Sequence, residues 1–338
     1  MGSTPLDLSV LICTRNRAAS LAATLNCLVA SYRHGQSVEI VICDNGSEDE
    51  TMEIIDSFRE RLPIRSLKYE KAGKSYCLNW ILDLGGLGRI VAEIDDDMSL
   101  DPDWIDAVLA SCDRRPDVDV FGGHVYVVWP PGPVPVWATR CCSEVIGWAF
   151  SAHGKERTVP RMDRPVRRDR WPCGYLFWVR SRLLTPASRF ADLWETAPGL
   201  IFDFVEKGAK AVVCTEIVAG HRVHAKLLNE SFILARAEMI GWTFANIFLR
   251  PHRPSFKMSG ALSRHPVAMR VYFSAMLVWF RGLCLLTSIA SSKGMWFERK
   301  LHATQRVALY REMLRIAALD EPYRIARRKS PRPGAVAD

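Results

Sequence analysis

The sequence predicts an α/β protein built on a doubly wound, mostly parallel, Rossmann-like sheet. Two observations carry that expectation. Apolar runs of strand length alternate with segments of helical periodicity between Leu8 and Val128, the rhythm of consecutive β–α units. Three of these runs end in polar tips: Cys13-Thr14-Arg15-Asn16-Arg17, Asp44-Asn45-Gly46-Ser47 and Asp95-Asp96-Asp97. In a parallel sheet such tips share one edge, and ligands of open α/β sheets sit at that edge.

Taken in order, Leu8, Val10, Leu11 and Ile12 form the first strand. The helix after it places Leu21, Leu25, Leu28 and Val29 on one face, at the spacing of a buried stripe. Val38–Cys43 is the second strand, and Ser47 with Glu50 predicts a capping box for a helix with apolar residues Ile55, Phe58 and Leu62. Ile64–Tyr69 is the third strand, and Gly73-Lys74-Ser75 leads into a helix carrying Leu78 and Ile81. The fourth strand (Ile90, Val91, Ala92, Ile94) runs into the acidic triplet, after which Asp101 and Pro102 are placed as N-cap and first residue of the next helix. Val118–Val128 gives a fifth strand, broken by Gly122-Gly123. The first turn holds no glycine where a dinucleotide-binding fold needs close backbone approach to pyrophosphate. A hydride-transfer enzyme is therefore not expected, and no P-loop pattern is present.

Beyond Trp129 the regularity breaks at Pro130, Pro131, Pro133 and Pro135. Residues 155–170 read as a basic loop, Trp171–Tyr175 as a return to order followed by an apolar strand or turn and Arg180, 200–208 as helix and Ala211–Cys214 as a short strand. A helix with an apolar face spans 227–248. Val271–Ile289 is almost continuously apolar, with Arg281-Gly282 near its midpoint. That length approaches a membrane span, but a central arginine is costly there. A helix in the membrane interface fits better, and a helix buried in the protein's own core is the competing reading.

Charge divides the 338 residues unevenly. From Arg250 onward there are 17 Lys and Arg against 5 Asp and Glu, while the preceding residues hold 28 against 32. A basic tail beside an apolar segment points to an anionic membrane surface rather than to nucleic acid, which is not an expected partner. The ten cysteines form no C-x-x-C pair, and several lie within apolar periodic segments. This pattern favours reduced thiols and a cytoplasmic address, and Asp7 in the first short apolar run argues against a signal peptide.

The acidic triplet carries the chemistry. Alternation in an extended chain sends Asp95 and Asp97 to one side and Asp96 to the other. Two carboxylates converging at a strand end suit a hard divalent cation whose remaining ligands are water and phosphate. The triplet alone reads equally as a solvated acidic turn.

Together these stretches resemble the family-2 glycosyltransferases of GT-A fold, particularly those that assemble bacterial surface polysaccharides. The resemblance covers roughly residues 6–250. It rests on Ser9–Arg17, Glu39–Ser47, Gly73–Asn79, Asp95–Asp97 with Asp101–Trp104, and Val218–Val223, five weak motifs in the expected order. It implies a catalytic domain over 1–250, with a nucleotide-binding half (1–128) and an acceptor-binding half (129–250). A basic, helical, membrane-associating extension would follow over 251–338. Nucleotide-sugar contacts would come from Thr14, Arg15, Arg17, Asp44, Lys74, Asn79, Asp95 and Asp96, with Asp44 accepting the imide N–H of uracil. Lys74 reads equally as a solvated turn lysine. Asp97 and Asp95 would hold Mn²⁺ or Mg²⁺, and His221 matches a histidine that completes the metal shell in some relatives, with His224 a nearby competitor.

Inverting transfer also needs a carboxylate base. Here the family pattern departs by one position, so Glu195 is the first candidate, Asp192 the second and Asp203 a distant third. The asparagine usual after Gly174 is Leu176, and Trp171, Tyr175, Phe177 and Trp178 read either as an aromatic sugar platform or as core. The function implied is metal-dependent transfer of a hexose from a UDP-sugar to a lipid-linked saccharide at the cytoplasmic face of the inner membrane. A sugar nucleotidyltransferase and a non-catalytic sugar-binding relative are the alternatives.

Overall fold

The structure is a computed structural model that describes residues 6–140, 147, 149–152, 164–165, 175–190, 196–248, 266–289 and 295–317. Its strands are β1 (Leu8–Thr14), β2 (Val38–Asp44), β3 (Ile64–Lys68), β4 (Ile90–Asp95), β5 (Met98–Leu100), β6 (Val120–Val128), β7 (Arg164–Pro165), β8 (Leu176–Arg180) and β9 (Ala211–Arg222). The α-helices are α1 (Ala18–Ser31), α2 (Thr51–Ser57), α3 (Lys74–Leu84), α4 (Trp104–Arg114), α5 (Val136–Arg140), α6 (Thr196–Glu206), α7 (Glu230–Phe248), α8 (Pro266–Ile289) and α9 (Met295–Ala317).

The strands form one nine-stranded sheet of order β3-β2-β1-β4-β8-β6-β9-β5, with β7 paired to β9. β3, β2, β1 and β4 are parallel neighbours, as the β–α alternation predicts. β8 enters antiparallel between β4 and β6, so the second half is mixed, although β6 and β9 are again parallel. Leu176, Phe177, Trp178 and Val179 are all buried, which is the unalternating pattern of a strand covered on both faces. Phe177, Trp178 and the preceding Tyr175 are thus core residues rather than an exposed sugar platform, while Trp171 lies outside the described residues.

Three local readings change. The box expected of Ser47 and Glu50 does not form, because Ser47 Oγ instead accepts the Asn16 N–H at 2.9 Å. The start of α2 is served by Asp49, whose Oδ1 accepts the Thr51 N–H at 3.1 Å. The helix expected from Asp101 begins at Trp104; a turn first closes from Trp104 N–H to Asp101 O at 3.0 Å, and Ser31 Oγ accepts the Ile105 N–H at 2.8 Å. Finally, the short strand predicted at Ala211–Cys214 continues through His221 to Arg222. A bulge hides that continuity. The β6 register jumps between Gly123 and His124, where the partner on β9 passes from Cys214 to Val218, interrupting the alternation a strand would show.

The chain divides into two compact units. One is drawn from residues 1–128, 151–192 and 196–223, and the other from 129–150, 193–195 and 224–338. In the second unit α7 opens where Asn229 Oδ1 accepts the Phe232 N–H at 2.8 Å, an N-cap. Ala245 of α7, Phe273 and Leu277 of α8, and Leu309, Tyr310 and Met313 of α9 form its buried cluster.

Gly123 is where β8 presses on β6. A Cβ there would lie 2.4 Å from Leu176 Cδ2 and 2.8 Å from Ile217 O, too close for any real contact. Gly123→Ala is expected to lower stability by about 1–3 kcal/mol in urea unfolding. An unchanged midpoint would show that Leu176 repacks without strain.

Candidate active site

The site lies at the edge where β1, β2 and β4 end, and registry brings the tips together. Thr14 is paired with Asp44 and Cys13 with Asp95. Strand geometry stops at Asp95, and Asp96 and Asp97 turn the chain into β5. β5 then pairs antiparallel with β9, setting Met98 opposite His221. The Arg222 N–H donates to Asp97 O at 2.9 Å. This one pairing brings a histidine from far along the sequence to the acidic turn.

Each carboxylate has a cationic neighbour. Arg17 Nη1 lies 2.8 Å from both Asp96 Oδ1 and Asp97 Oδ2. Thr14 Oγ1 donates to Asp96 Oδ2 at 2.7 Å. His221 Nε2 lies 3.2 Å from Asp97 Oδ1, an oxygen that accepts no well-formed hydrogen bond from the described groups. Lys74 Nζ pairs with Asp95 and lies 2.5 Å from Oε1 of buried Glu93.

Burial and charge set the protonation behaviour. Burial pushes Asp96 up to about 6, with Arg17 opposing and Asp97 adding to the rise. Burial works the same way at Asp97, but His221 and then Arg17 overcome it and hold the carboxyl well below the usual range. For Arg17, burial favours the neutral form, and Asp96 and Asp97 more than offset it, keeping the guanidinium charged. Glu93 is pushed up to about 7 by burial, with Lys74 opposing and Asp95 adding.

One ligand atom from each of Asp95, Asp97 and His221 falls within 4.8 Å of the others, a set that does not include His224. Two carboxylates and an imidazole fit a borderline or hard divalent ion. The buried Asp97 Oδ1 supports that fit, because its 3.2 Å contact with His221 Nε2 is not a well-formed hydrogen bond and a poorly satisfied buried carboxylate oxygen is costly. Asp96 instead engages Thr14 and Arg17. Arg17, however, spans Asp96 and Asp97, because their backbone is a turn rather than a strand.

The remaining expected residues are placed as follows. Asp44 is fully buried, and its two oxygens lie 3.1 and 3.3 Å from the Ser47 N–H, which leaves acceptor capacity. Arg15 is exposed beside this edge. The Asn79 amide pairs with the Phe190 backbone, donating to its O at 3.0 Å and accepting its N–H at 2.8 Å. Asp203 is half-buried on α6. Glu195, Asp192 and most of the 155–170 loop lie outside the described residues.

Three residues not singled out from sequence shape this edge. Glu93 is the buried partner of Lys74, and a charge inside an apolar strand was its available signal. Asn45 donates to Tyr69 O and Lys71 O at 2.8 and 2.9 Å and accepts the Gly73 N–H at 2.7 Å, fixing the loop that delivers Lys74. Thr24, a hydroxyl among the buried leucines of α1, donates to Asp96 O at 2.8 Å and accepts from Arg222 Nη2 at 2.6 Å. The Arg222 guanidinium therefore braces α1 against the acidic turn.

This sheet, with its acid- and histidine-lined edge, is a glycosyltransferase fold of the GT-A type. The mannosyltransferase PcManGT of Pyrobaculum calidifontis, solved with GDP-Man and Mn²⁺, superposes with a TM-score of 0.58 at 17% identity, over 92% of this chain and 88% of that one. The S. aureus TarS fragment 1–349, solved with UDP-GlcNAc, gives 0.51 at 15% identity, over 90% of each chain. Residues 9–170 match the model of glycosyl transferase family 2. A glucosyl-dolichyl phosphate glucuronosyltransferase of Haloferax volcanii is 31% identical over 138 residues, 40% of this chain and 41% of that protein. Hyaluronan synthase of Pasteurella multocida is 30% identical over 124 residues, 36% of this chain and 13% of that protein. The chain thus spans less than half the length of these curated relatives.

Two outcomes test the site. Calorimetric titration with Mn²⁺ is expected to show affinity reduced roughly tenfold or more in Asp97→Asn and in His221→Ala; unchanged affinity in both variants removes the metal assignment. Lys74→Met strands Glu93 and Asp95, and should cost roughly 1–3 kcal/mol in denaturant unfolding, less than a fully buried pair because Lys74 is partly exposed. Adding Glu93→Gln should restore part of that loss, and no recovery would show that the pair is not coupled.

Proposed function

We propose that this protein is an inverting, metal-dependent glycosyltransferase that moves a hexose from a nucleotide-diphospho-sugar, a UDP-sugar in the first instance, to a lipid-linked saccharide. The observation that carries the reading is the convergence of Asp95, Asp97 and His221 on the sheet edge that also holds Asp44 and Thr14, within a family-2 segment.

In this reading Asp44 accepts the imide N–H of the base. Uracil and guanine both carry such a group, and the structural neighbours were solved with UDP-GlcNAc and with GDP-Man. Thr14, Arg15 and Asp96 border the nucleoside, whereas the Asn79 amide is engaged by the Phe190 backbone and is assigned no ligand contact. Asp97, Asp95 and His221 hold Mn²⁺ or Mg²⁺, which when bound neutralises the diphosphate and eases departure of the nucleotide. Arg17 and Lys74 orient the carboxylates, and they place positive charge beside the leaving group. Glu195, or Asp192 in its stead, removes the proton from the attacking hydroxyl.

A lipid-linked acceptor is supported by the Haloferax relative, whose name specifies a dolichyl phosphate-linked glucose. The net positive charge after residue 250 and the apolar run of α8, the one helix among the described residues long and apolar enough to cross a membrane, support a seat at the cytoplasmic face of the inner membrane.

Incubation with a panel of UDP-sugars, Mn²⁺ and lipid-linked acceptors is expected to release UDP, with turnover roughly 100-fold lower in Asp97→Ala. Release of pyrophosphate instead would assign a sugar nucleotidyltransferase. Full metal-dependent turnover by Asp97→Ala would refute the role given to this carboxylate.

A further inference from the structure

Helix α8 is apolar on two faces, and among the described residues of the second unit only one of them is packed in a buried cluster. Phe273 and Leu277 are buried against Ala245 of α7 and against Leu309, Tyr310 and Met313 of α9. The Phe280 ring stacks on Tyr310 at 5.8 Å, and Cys284 Sγ lies 4.0 Å from Thr304 Oγ1, so α8 and α9 run antiparallel. On the other side Val267, Val271, Val278, Trp279, Leu285 and Leu286 are between 64% and 73% exposed. At 100° per residue they fall within a sector about 120° wide. Isolated apolar side chains on a surface are ordinary, but a continuous stripe over five helical turns is not. Arg270 and Arg281, both exposed, are three turns apart and lie together along one border of that sector.

We infer that this face of α8 seats the protein in the plane of an anionic bilayer surface. The six apolar side chains enter the boundary between head groups and acyl chains, and Arg270 and Arg281 rest at the lipid phosphates. The inference rests on the membrane location proposed above and specifies how it is made. Charge selects the occupant: α8 contains no Asp or Glu, so a second copy of the face would offer it only more positive charge, whereas anionic lipid complements the arginines.

Length alone would permit a crossing, since 24 residues rise about 36 Å against a hydrocarbon core of about 30 Å. The packing forbids it. α9 lies along α8 and carries Arg299, Lys300, Arg306, Arg311 and Arg315, all of which a spanning α8 would drag into the hydrocarbon, where arginine and lysine are strongly disfavoured. An in-plane helix keeps α9 on the aqueous side.

The test is co-sedimentation of the full chain with phosphatidylcholine vesicles, with and without phosphatidylglycerol, at low and physiological salt. Binding is expected only with the anionic lipid and should weaken with salt. V278D/L285D is expected to reduce binding more than roughly tenfold, and R270Q/R281Q by about fivefold for each arginine removed. Alkaline carbonate should release the wild-type chain from membranes. Vesicle binding unchanged in V278D/L285D, with native circular dichroism, overturns the inference, as does retention after carbonate. A lipid-free dimer that the same substitutions dissociate overturns it in favour of a second copy. UDP release by the variants is measured separately, so loss of the membrane seat and loss of the donor chemistry are told apart.

Discussion

Like charges cannot gather at a strand end without compensation, and the site is organised by that constraint. Glu93, Asp95, Asp96 and Asp97 fall within five residues, and three of the four are buried. Their partners come from three other elements: Lys74 from the start of α3, Arg17 from the β1–α1 loop and His221 from β9. Removing a buried carboxylate from water costs several kcal/mol unless such partners are in place. The loops that carry Arg17 and Lys74 are therefore parts of the acidic edge as much as the acids themselves.

The backbone around the triplet is held by a second set of contacts that carry no charge to a ligand. Thr24 bonds Asp96 O, the Arg222 N–H bonds Asp97 O, and the Arg222 guanidinium bonds Thr24. Asn45 performs the same service for the loop that presents Lys74. Such bracing fixes the direction of each carboxylate before any ligand arrives, which is what an electrostatic site requires. The division of labour is clear at β9: His221 faces the acids, and Arg222 holds the element that positions them.

The helical region after β9 obeys different constraints. In α7, α8 and α9 the buried faces account for the packing, and the exposed stripe on α8 lies outside the buried cluster formed by the described residues. The apolar run 271–289 left interfacial and core readings open, because periodicity cannot say how many sides of a helix find a protein partner. Burial of Phe273 and Leu277 beside exposure of Val271, Val278 and Leu285 shows that the helix is a core element on one side only.

The sequence by itself determined the four parallel strands, the polar tips at their ends and the identity of the acids, because those features are local: periodicity, strand length and adjacent charge. It also marked His221 through a motif. Tertiary structure alone decided that β8 inserts antiparallel, that β9 is continuous across a bulge, and that the helix after the triplet starts at Trp104. It alone paired Glu93 with Lys74 and Thr24 with Arg222. These depend on contacts between residues far apart in the chain, where a glycine without a Cβ, a hydroxyl among leucines or a charge in an apolar strand becomes meaningful only once its neighbour is in place.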